Sequence, residues 1–207
     1  MRFSRTVVAG ALAALTASLA ACGSHPSSTS TSTSGSGSAT TPTNARNSPT
    51  ASSAAAQPSD YTGLLIQATD INAPVTFTGA PPTNNPNGQP GAATTFSTED
   101  GSRVIKDTIQ VLADPAAAND ALSAAKGGQR GAIKNPKTDP VNVGTGGTTL
   151  SGNSADNSKG VLILMFTEGK AFVTLEFDGP TNLLPPQDFV TDVGQKQDAA
   201  VKKGLGG

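Results

Sequence analysis

The side chains that most often perform covalent and metal chemistry are nearly absent from this chain. It contains one cysteine, Cys22, one histidine, His25, and no tryptophan. Residues 60–207 therefore have neither a thiol nor an imidazole. The usual nucleophile–base pairs and transition-metal sites cannot be assembled there. The sequence predicts no metal site and no cofactor.

Carboxylate pairs are the remaining candidates for acid–base chemistry. Glu176 and Asp178 are near neighbours at the end of a predicted hairpin, and Glu99 and Asp100 are adjacent in the sequence. Such pairs are typical of solvated strand ends and turns. We therefore predict that the chain is not an enzyme, with a hydrolase that uses carboxylates alone as the least favoured alternative.

Two further stretches contain groups that could bind a ligand. The glycine-rich stretch 144–148 lacks the third glycine of a dinucleotide fingerprint and the lysine of a nucleotide-binding loop, so it predicts a glycine turn. Asn153, Asp156 and Asn157 offer oxygens for calcium, but their spacing is not that of an EF-hand loop. We expect a polar surface loop there.

The position of Cys22 gives that residue a specific chemistry. Arg2 and Arg5 precede an apolar run over residues 7–19, which is too short to span a bilayer and is typical of a signal peptide. The run ends in Leu-Ala-Ala-Cys-Gly at residues 19–23, which resembles the lipobox of bacterial lipoproteins. The resemblance implies cleavage after residue 21 and conversion of Cys22 into an N-palmitoyl, S-diacylglycerol cysteine. The alternative is an ordinary secretory peptide with an incidental cysteine.

Residues 22–59 form the predicted lipidated N-terminus and a linker rich in Ser, Thr, Ala, Gly and Pro. This composition cannot bury enough apolar surface to offset its ordering entropy, so a disordered tether is expected. Its 36 residues after Gly23 have a root-mean-square reach of roughly 30–36 Å, from about 5–6 Å × √n. The Ser/Thr clusters near Pro42 and Pro49 suit O-glycosylation as well as an unmodified spacer.

Residues 60–207 read as one globular α+β domain in which a curved antiparallel sheet packs with about three helices. Asp114-Pro115 predicts a helix start, and Val161–Phe177 predicts a hairpin whose first strand is buried on both faces. The predicted helices cover residues 61–72, 116–125 and a segment that begins at Pro185-Pro186. The predicted strands cover 93–97, 106–113, 141–143, 148–150 and the two halves of 161–177, with a long loop over 79–91.

This order of elements is similar to the extracellular sensor domain of a family of mycobacterial serine/threonine kinases. The similarity lies in an opening helix, a strand leading into the Asp-Pro-Ala-Ala-Ala helix at 114–118, a long hairpin and a closing helix. It covers about residues 60–207 and implies a small extracytoplasmic domain. Those domains use disulfides, whereas this chain has a single cysteine, and no functional residue is carried over.

The composition and the resemblance together define the expected place and class of the protein. Residues 60–207 carry fifteen acidic and eleven basic residues with no basic stretch, which argues against a nucleic-acid partner. We expect a lipoprotein anchored on the extracytoplasmic face of the cell membrane. It is either a sensor-like domain that binds a lipid or small hydrophobic ligand, or a surface adaptor without a pocket whose envelope partner is unknown. Loop 79–91 is the candidate binding loop.

Overall fold

The computed structural model describes residues 60–128, 131 and 133–206. The predicted signal peptide 1–21, the lipid-bearing Cys22 and the linker up to residue 59 lie outside the described residues, as does His25. Within the described part, neither α-helix is both long and apolar enough to cross a membrane.

The described residues build an open antiparallel sheet with one α-helix on each face, which confirms the predicted α+β class. The strand order is β1-β3-β4-β8-β7-β6-β5, and β2 also pairs with β3. The strands are β1 (Phe77–Gly79), β2 (Thr83–Asn84), β3 (Gly91–Thr98), β4 (Val104–Val111), β5 (Ile133–Pro140), β6 (Thr145–Ser154), β7 (Gly160–Glu168) and β8 (Ala171–Gly179). The helices are α1 (Pro115–Gly128) and α2 (Gln187–Leu205), with 3-10 helices at Thr62–Leu64, Ala68–Asp70 and Pro86–Gly88.

Strand β7 explains why the sheet needs helices on both faces. Every residue from Gly160 to Thr167 is buried, as the apolar run predicted. Because side chains alternate along a strand, its even-numbered apolar residues enter the larger core beneath α2, and its odd-numbered ones enter the smaller core beneath α1. Gly194 of α2 allows close packing on this strand, since an added Cβ would lie 2.5 Å from Leu164 Cδ2.

The two α-helices begin where the sequence predicted. The Asp114 carboxylate accepts a hydrogen bond of 2.8 Å from the Ala117 amide, and Pro115 is the first helical residue. Helix α2 begins directly after the Pro185-Pro186 pair and ends at Leu205; the next residue, Gly206, has φ of 75°, which suits a glycine C-cap.

The opening helix over 61–72 was predicted wrongly as one continuous helix. The segment forms two short 3-10 helices separated by extended backbone at Leu65, which has ψ of 144°. The buried Gln197 side chain provides hydrogen-bond partners for two backbone groups of this segment. Its Oε1 accepts from the Ile66 amide at 3.0 Å, and its Nε2 donates to the Leu64 carbonyl at 2.7 Å.

The region between α1 and β6 is the second correction. Residues 141–143 were predicted as a strand but form the turn that precedes β6, and Val143 is apolar because it is buried in the larger core. The preceding strand β5 was missed because it is a polar edge strand in which only Ile133 is buried. Its two prolines and a β-bulge after Lys134 are typical of an edge.

Candidate functional site

An apolar cleft of about 670 Å³ opens at one end of the sheet. Its walls are the segment 72–77, the end of β8, the loop 179–186 and the first turn of α2. A volume of this size lies within the range of about 300–1,000 Å³ that is typical of small-molecule sites. The cleft is therefore the candidate functional site.

The large apolar side chains that remain exposed in the described part line this cleft. Three large hydrophobic side chains of the described part remain exposed: Val75 (38%), Leu183 (52%) and Leu184 (38%). All three line this cleft. Its floor includes Phe177 and Phe189, whose rings meet edge to face with centroids 6.0 Å apart. A contiguous exposed apolar surface of this kind usually marks a binding site.

The leucine-bearing loop 179–186 is held in place by the end of β6 and the turn that follows it. Asn153 Nδ2 donates to Asn182 Oδ1 at 2.8 Å, and the Asn182 amide donates back to Asn153 Oδ1 at 3.1 Å. The Thr181 hydroxyl donates to the Asn157 carbonyl at 3.2 Å. Both asparagines whose oxygens could suit calcium, Asn153 and Asn157, thus hold a wall of the cleft in place. No group of three acidic, cysteine or histidine residues that could hold a metal occurs in the described ranges.

Two turns of the same construction border the cleft end of the sheet, at 98–103 between β3 and β4 and at 154–159 between β6 and β7. In each, the third residue is an aspartate, Asp100 or Asp156. Its Oδ1 accepts from the hydroxyl of the first residue at 2.6 Å and from the amide of the fifth at 3.0 Å. The fourth residue has a positive φ, 66° or 58°. Asp100, considered as an acid–base residue, is therefore a turn-forming residue.

These hydrogen bonds predict unusual titration of both aspartates. The Thr98 hydroxyl, followed by the Ser102 amide and hydroxyl, lowers the pKa of Asp100 to about 2, and Ser154 and Ser158 lower the pKa of Asp156 equally. Both pKa values lie below the ordinary 3.8. The hydrogen bonds of the ionised aspartates therefore stabilise the folded chain fully above pH 3.8, and this stabilisation is lost as the pH falls through about 2. We expect carbon-detected NMR to show both midpoints near pH 2. Thr98→Val should raise the midpoint of Asp100 alone, with Asp156 as internal control; an unchanged Asp100 midpoint would contradict this.

The other predicted carboxylate pair belongs to an ion-pair cluster on the sheet face opposite α2. Lys106 Nζ lies 2.6 Å from Glu176 Oε1 and 3.1 Å from Asp178 Oδ2, and Lys159 pairs with both carboxylates. Burial raises the pKa of Asp178, but hydrogen bonds from Lys159 and Lys106 outweigh it and hold that pKa below its usual value. A carboxylate held ionised in this way is unsuited to donate a proton as a general acid.

A smaller cavity of about 270 Å³ lies between the β7–β8 turn and the end of α2. Glu168 lines it and lies 3.5 Å from Lys202 Nζ, which also pairs with Asp198 at 2.7 Å. Burial, followed by the Asp198 charge, raises the pKa of Glu168. No sequence pattern predicts that Glu168 meets Asp198 and Lys202, because the three residues come together only when α2 packs beside the β7–β8 turn.

The two loops considered for ligand binding lie elsewhere. Only Gly144 of the stretch 144–148 lies in the predicted glycine turn; it has φ of 52°, and an added Cβ would lie 2.4 Å from Phe166 Cδ2. Residues 145–148 are instead the first residues of strand β6, so no helix follows the turn as a phosphate loop requires. The loop 79–91 contains β2 and a 3-10 helix and packs along the edge of β3. None of its residues lines the cleft.

Comparison with known proteins identifies the fold. No protein-family model matches the chain, and no curated protein does. The extracellular domain of PknH from Mycobacterium tuberculosis matches with a TM-score of 0.50 and 8% identity, over 71% of this chain and 95% of that domain. The two proteins share a fold. The layout-based resemblance to a mycobacterial kinase's extracellular domain is confirmed at that level, while identity this low carries no residue of PknH over to this chain.

Proposed function

We propose that this chain is a lipid-anchored, sensor-like domain of the bacterial envelope that binds an apolar or amphiphilic ligand in its cleft. The observation that carries the proposal is the convergence of all three exposed large hydrophobic side chains of the described part on one cavity. The fold shared with an extracellular domain supports a location outside the cytoplasm, and the lipobox-like sequence at Cys22 supports the anchor.

The cleft is preorganised for binding. The hydrogen bonds of Asn182 and Thr181 hold the leucine-bearing loop before any ligand arrives, which reduces the ordering cost of binding. Burial of a leucine side chain contributes about 1.5–3 kcal/mol, so one leucine of the wall accounts for roughly a tenfold or greater change in affinity.

Calorimetry with dodecyl maltoside below its micelle concentration tests the cleft. The full chain with Cys22→Ala is suitable because it brings no acyl chain of its own. We expect binding by this chain and a loss of at least tenfold with the added substitution Leu184→Glu, because a charge replaces an apolar contact. Ala199→Glu, at an exposed position of α2 outside the cleft, is the matched control and should leave binding unchanged. Absence of binding would favour the adaptor without a pocket.

The anchor is tested separately. In a bacterium that processes lipoproteins, we expect the chain to incorporate labelled palmitate and its mature N-terminal peptide to begin at a modified Cys22. Cys22→Ala should abolish the label, because no other thiol exists to accept diacylglycerol. Two or three acyl chains at about 0.8 kcal/mol per buried CH₂ give a stable anchor. A processed chain whose Cys22 carries no lipid would show that the segment is an ordinary secretory signal.

A further inference from the structure

We propose that the cleft selects a single-chain amphiphile with an anionic head group and that Arg103 is the residue that binds this head. The inference rests on the proposed function and adds the ligand class to it. It follows from the charges that line the cleft, from the partner each of them has, and from the construction of the turn that carries Arg103.

Four charged residues line the cleft: Arg103, Asp178, Asp188 and Asp192. Two of the carboxylates are neutralised by lysines outside the lining. Asp178 Oδ2 pairs with Lys106 and Lys159, and Asp192 Oδ2 lies 2.8 Å from Lys196 Nζ. The cleft is therefore far less acidic than its residue types suggest.

Asp188 lies in the first turn of α2, where its Oδ1 is 2.9 Å from the Phe189 amide. The positive end of the helix dipole offsets a carboxylate at this position. Arg103, in contrast, has no carboxylate within ion-pair distance in the described part of the chain and is exposed. It is thus the one lining cation, and its charge is available to a ligand.

The two matched turns show why this availability is specific to Arg103. Arg103 is the sixth residue of the turn 98–103, and Lys159 is the sixth residue of the turn 154–159. Both backbones are fixed in the same way, with the amide of the sixth residue donating to the hydroxyl of the first at 3.2 Å. The Lys159 ammonium forms an ion pair with Asp178, whereas the Arg103 guanidinium forms no ion pair with a described carboxylate. One turn thus supports the ion-pair cluster, and its counterpart presents a cation to the cleft.

The chemistry of the guanidinium defines the head group. Arginine offers a planar set of donors that matches a carboxylate or a phosphate with two parallel hydrogen bonds. Leu183, Leu184 and Phe189 then provide an apolar surface for the tail. The ligand class is an alkyl or acyl chain that ends in a carboxylate or a phosphate monoester.

The test compares four probes with the same twelve-carbon tail, below their micelle concentrations, on the full chain carrying Cys22→Ala. They are dodecanoate, dodecyl phosphate, the neutral dodecyl maltoside and the cationic dodecyltrimethylammonium. We expect at least one anionic probe to bind about tenfold more tightly than the neutral probe, the scale of one charge-assisted hydrogen bond. The two anionic arms distinguish a carboxylate from a phosphate head.

Arg103→Gln should remove this preference, with anion binding about tenfold weaker and dodecyl maltoside binding within twofold of the parent. Lys203→Gln, an exposed cation at the other end of α2, is the matched control and should change neither. The parent chain gives a test that needs no variant: added salt should weaken anion binding and leave maltoside binding unchanged. Equal binding of all probes, or preference for the cationic one, would overturn the role of Arg103 while the cleft stands. Absence of binding by every probe would overturn the proposed function itself.

Discussion

Replacing Gln197 by leucine is expected to lower the free energy of unfolding by about 2–4 kcal/mol. Gln197 is fully buried, and its amide group makes the two hydrogen bonds that join α2 to Leu64 at the end of the first 3-10 helix and to Ile66 after it. Leucine has a similar volume but leaves the Leu64 carbonyl and the Ile66 amide buried without partners. Each orphaned backbone group costs about 1–3 kcal/mol, partly offset by the added apolar contact.

Chemical unfolding of the two chains measures this difference. Gln195→Leu, two positions away at an exposed site on the same helix, is the matched control and should change stability by less than about 0.5 kcal/mol. If Gln197→Leu were as stable as the parent, Gln197 would not hold this segment in place.

Asp107→Val is expected to have the opposite effect and to raise the free energy of unfolding by about 1–3 kcal/mol. Asp107 lies in the middle of β4 between Thr94 and Leu175 of the neighbouring strands and has no solvent exposure. Neither of its carboxylate oxygens has a hydrogen-bond partner among the described residues. A buried polar group without a partner costs about 1–3 kcal/mol, and valine removes it in a residue that favours strands.

The pH dependence gives this prediction a second readout. Burial raises the pKa of Asp107 well above its ordinary value of 3.8. At a pH between 3.8 and the raised pKa of the folded chain, Asp107 keeps its proton in the folded chain and releases it in the unfolded chain. The free energy of unfolding of the parent chain is therefore unaffected by this group below pH 3.8, and it falls as the pH rises towards the folded-state pKa of Asp107. We expect the advantage of Asp107→Val in thermal unfolding to grow over this interval. Thr108→Val, at the exposed neighbouring position, should show no such growth; a less stable Asp107→Val chain would contradict the account.

The parts of the fold that the sequence predicts correctly are those whose local signals agree with their packing. The hairpin from Val161 to Phe177 was predicted correctly because an apolar run and an alternating run flank a glycine turn. Helix α1 was correct because Asp114 and Pro115 form a start signal. Strand β5 was missed because an edge strand needs few apolar residues. The segment 61–72 has a helical pattern, but in the structure its Ile66 amide is hydrogen-bonded to Gln197, more than a hundred residues later, and this partner could not be predicted from local sequence.

The candidate site was harder to predict because it is made by tertiary packing and carries no catalytic motif. Its walls come from segments separated by up to about a hundred residues. The one available signal was Leu183-Leu184 followed by two prolines, since adjacent apolar residues in a loop otherwise rich in turn formers must be exposed or bound. Of the carboxylates singled out from the sequence, Asp178 lines the cleft but is held in ion pairs with Lys106 and Lys159, and Asp100 forms a turn. Cys22 lies outside the described residues, and its lipidation stays a prediction.

Methyl NMR of the full chain during titration with dodecanoate tests the central claim, that the cleft is the binding site. The account predicts progressive, saturable shifts of the Val75, Leu183 and Leu184 methyl groups. Leu122 and Ile163, buried in the smaller core beneath α1, should stay unchanged. Unchanged cleft methyl groups at saturating dodecanoate, or shifts centred on Leu205 at the smaller cavity, would contradict it.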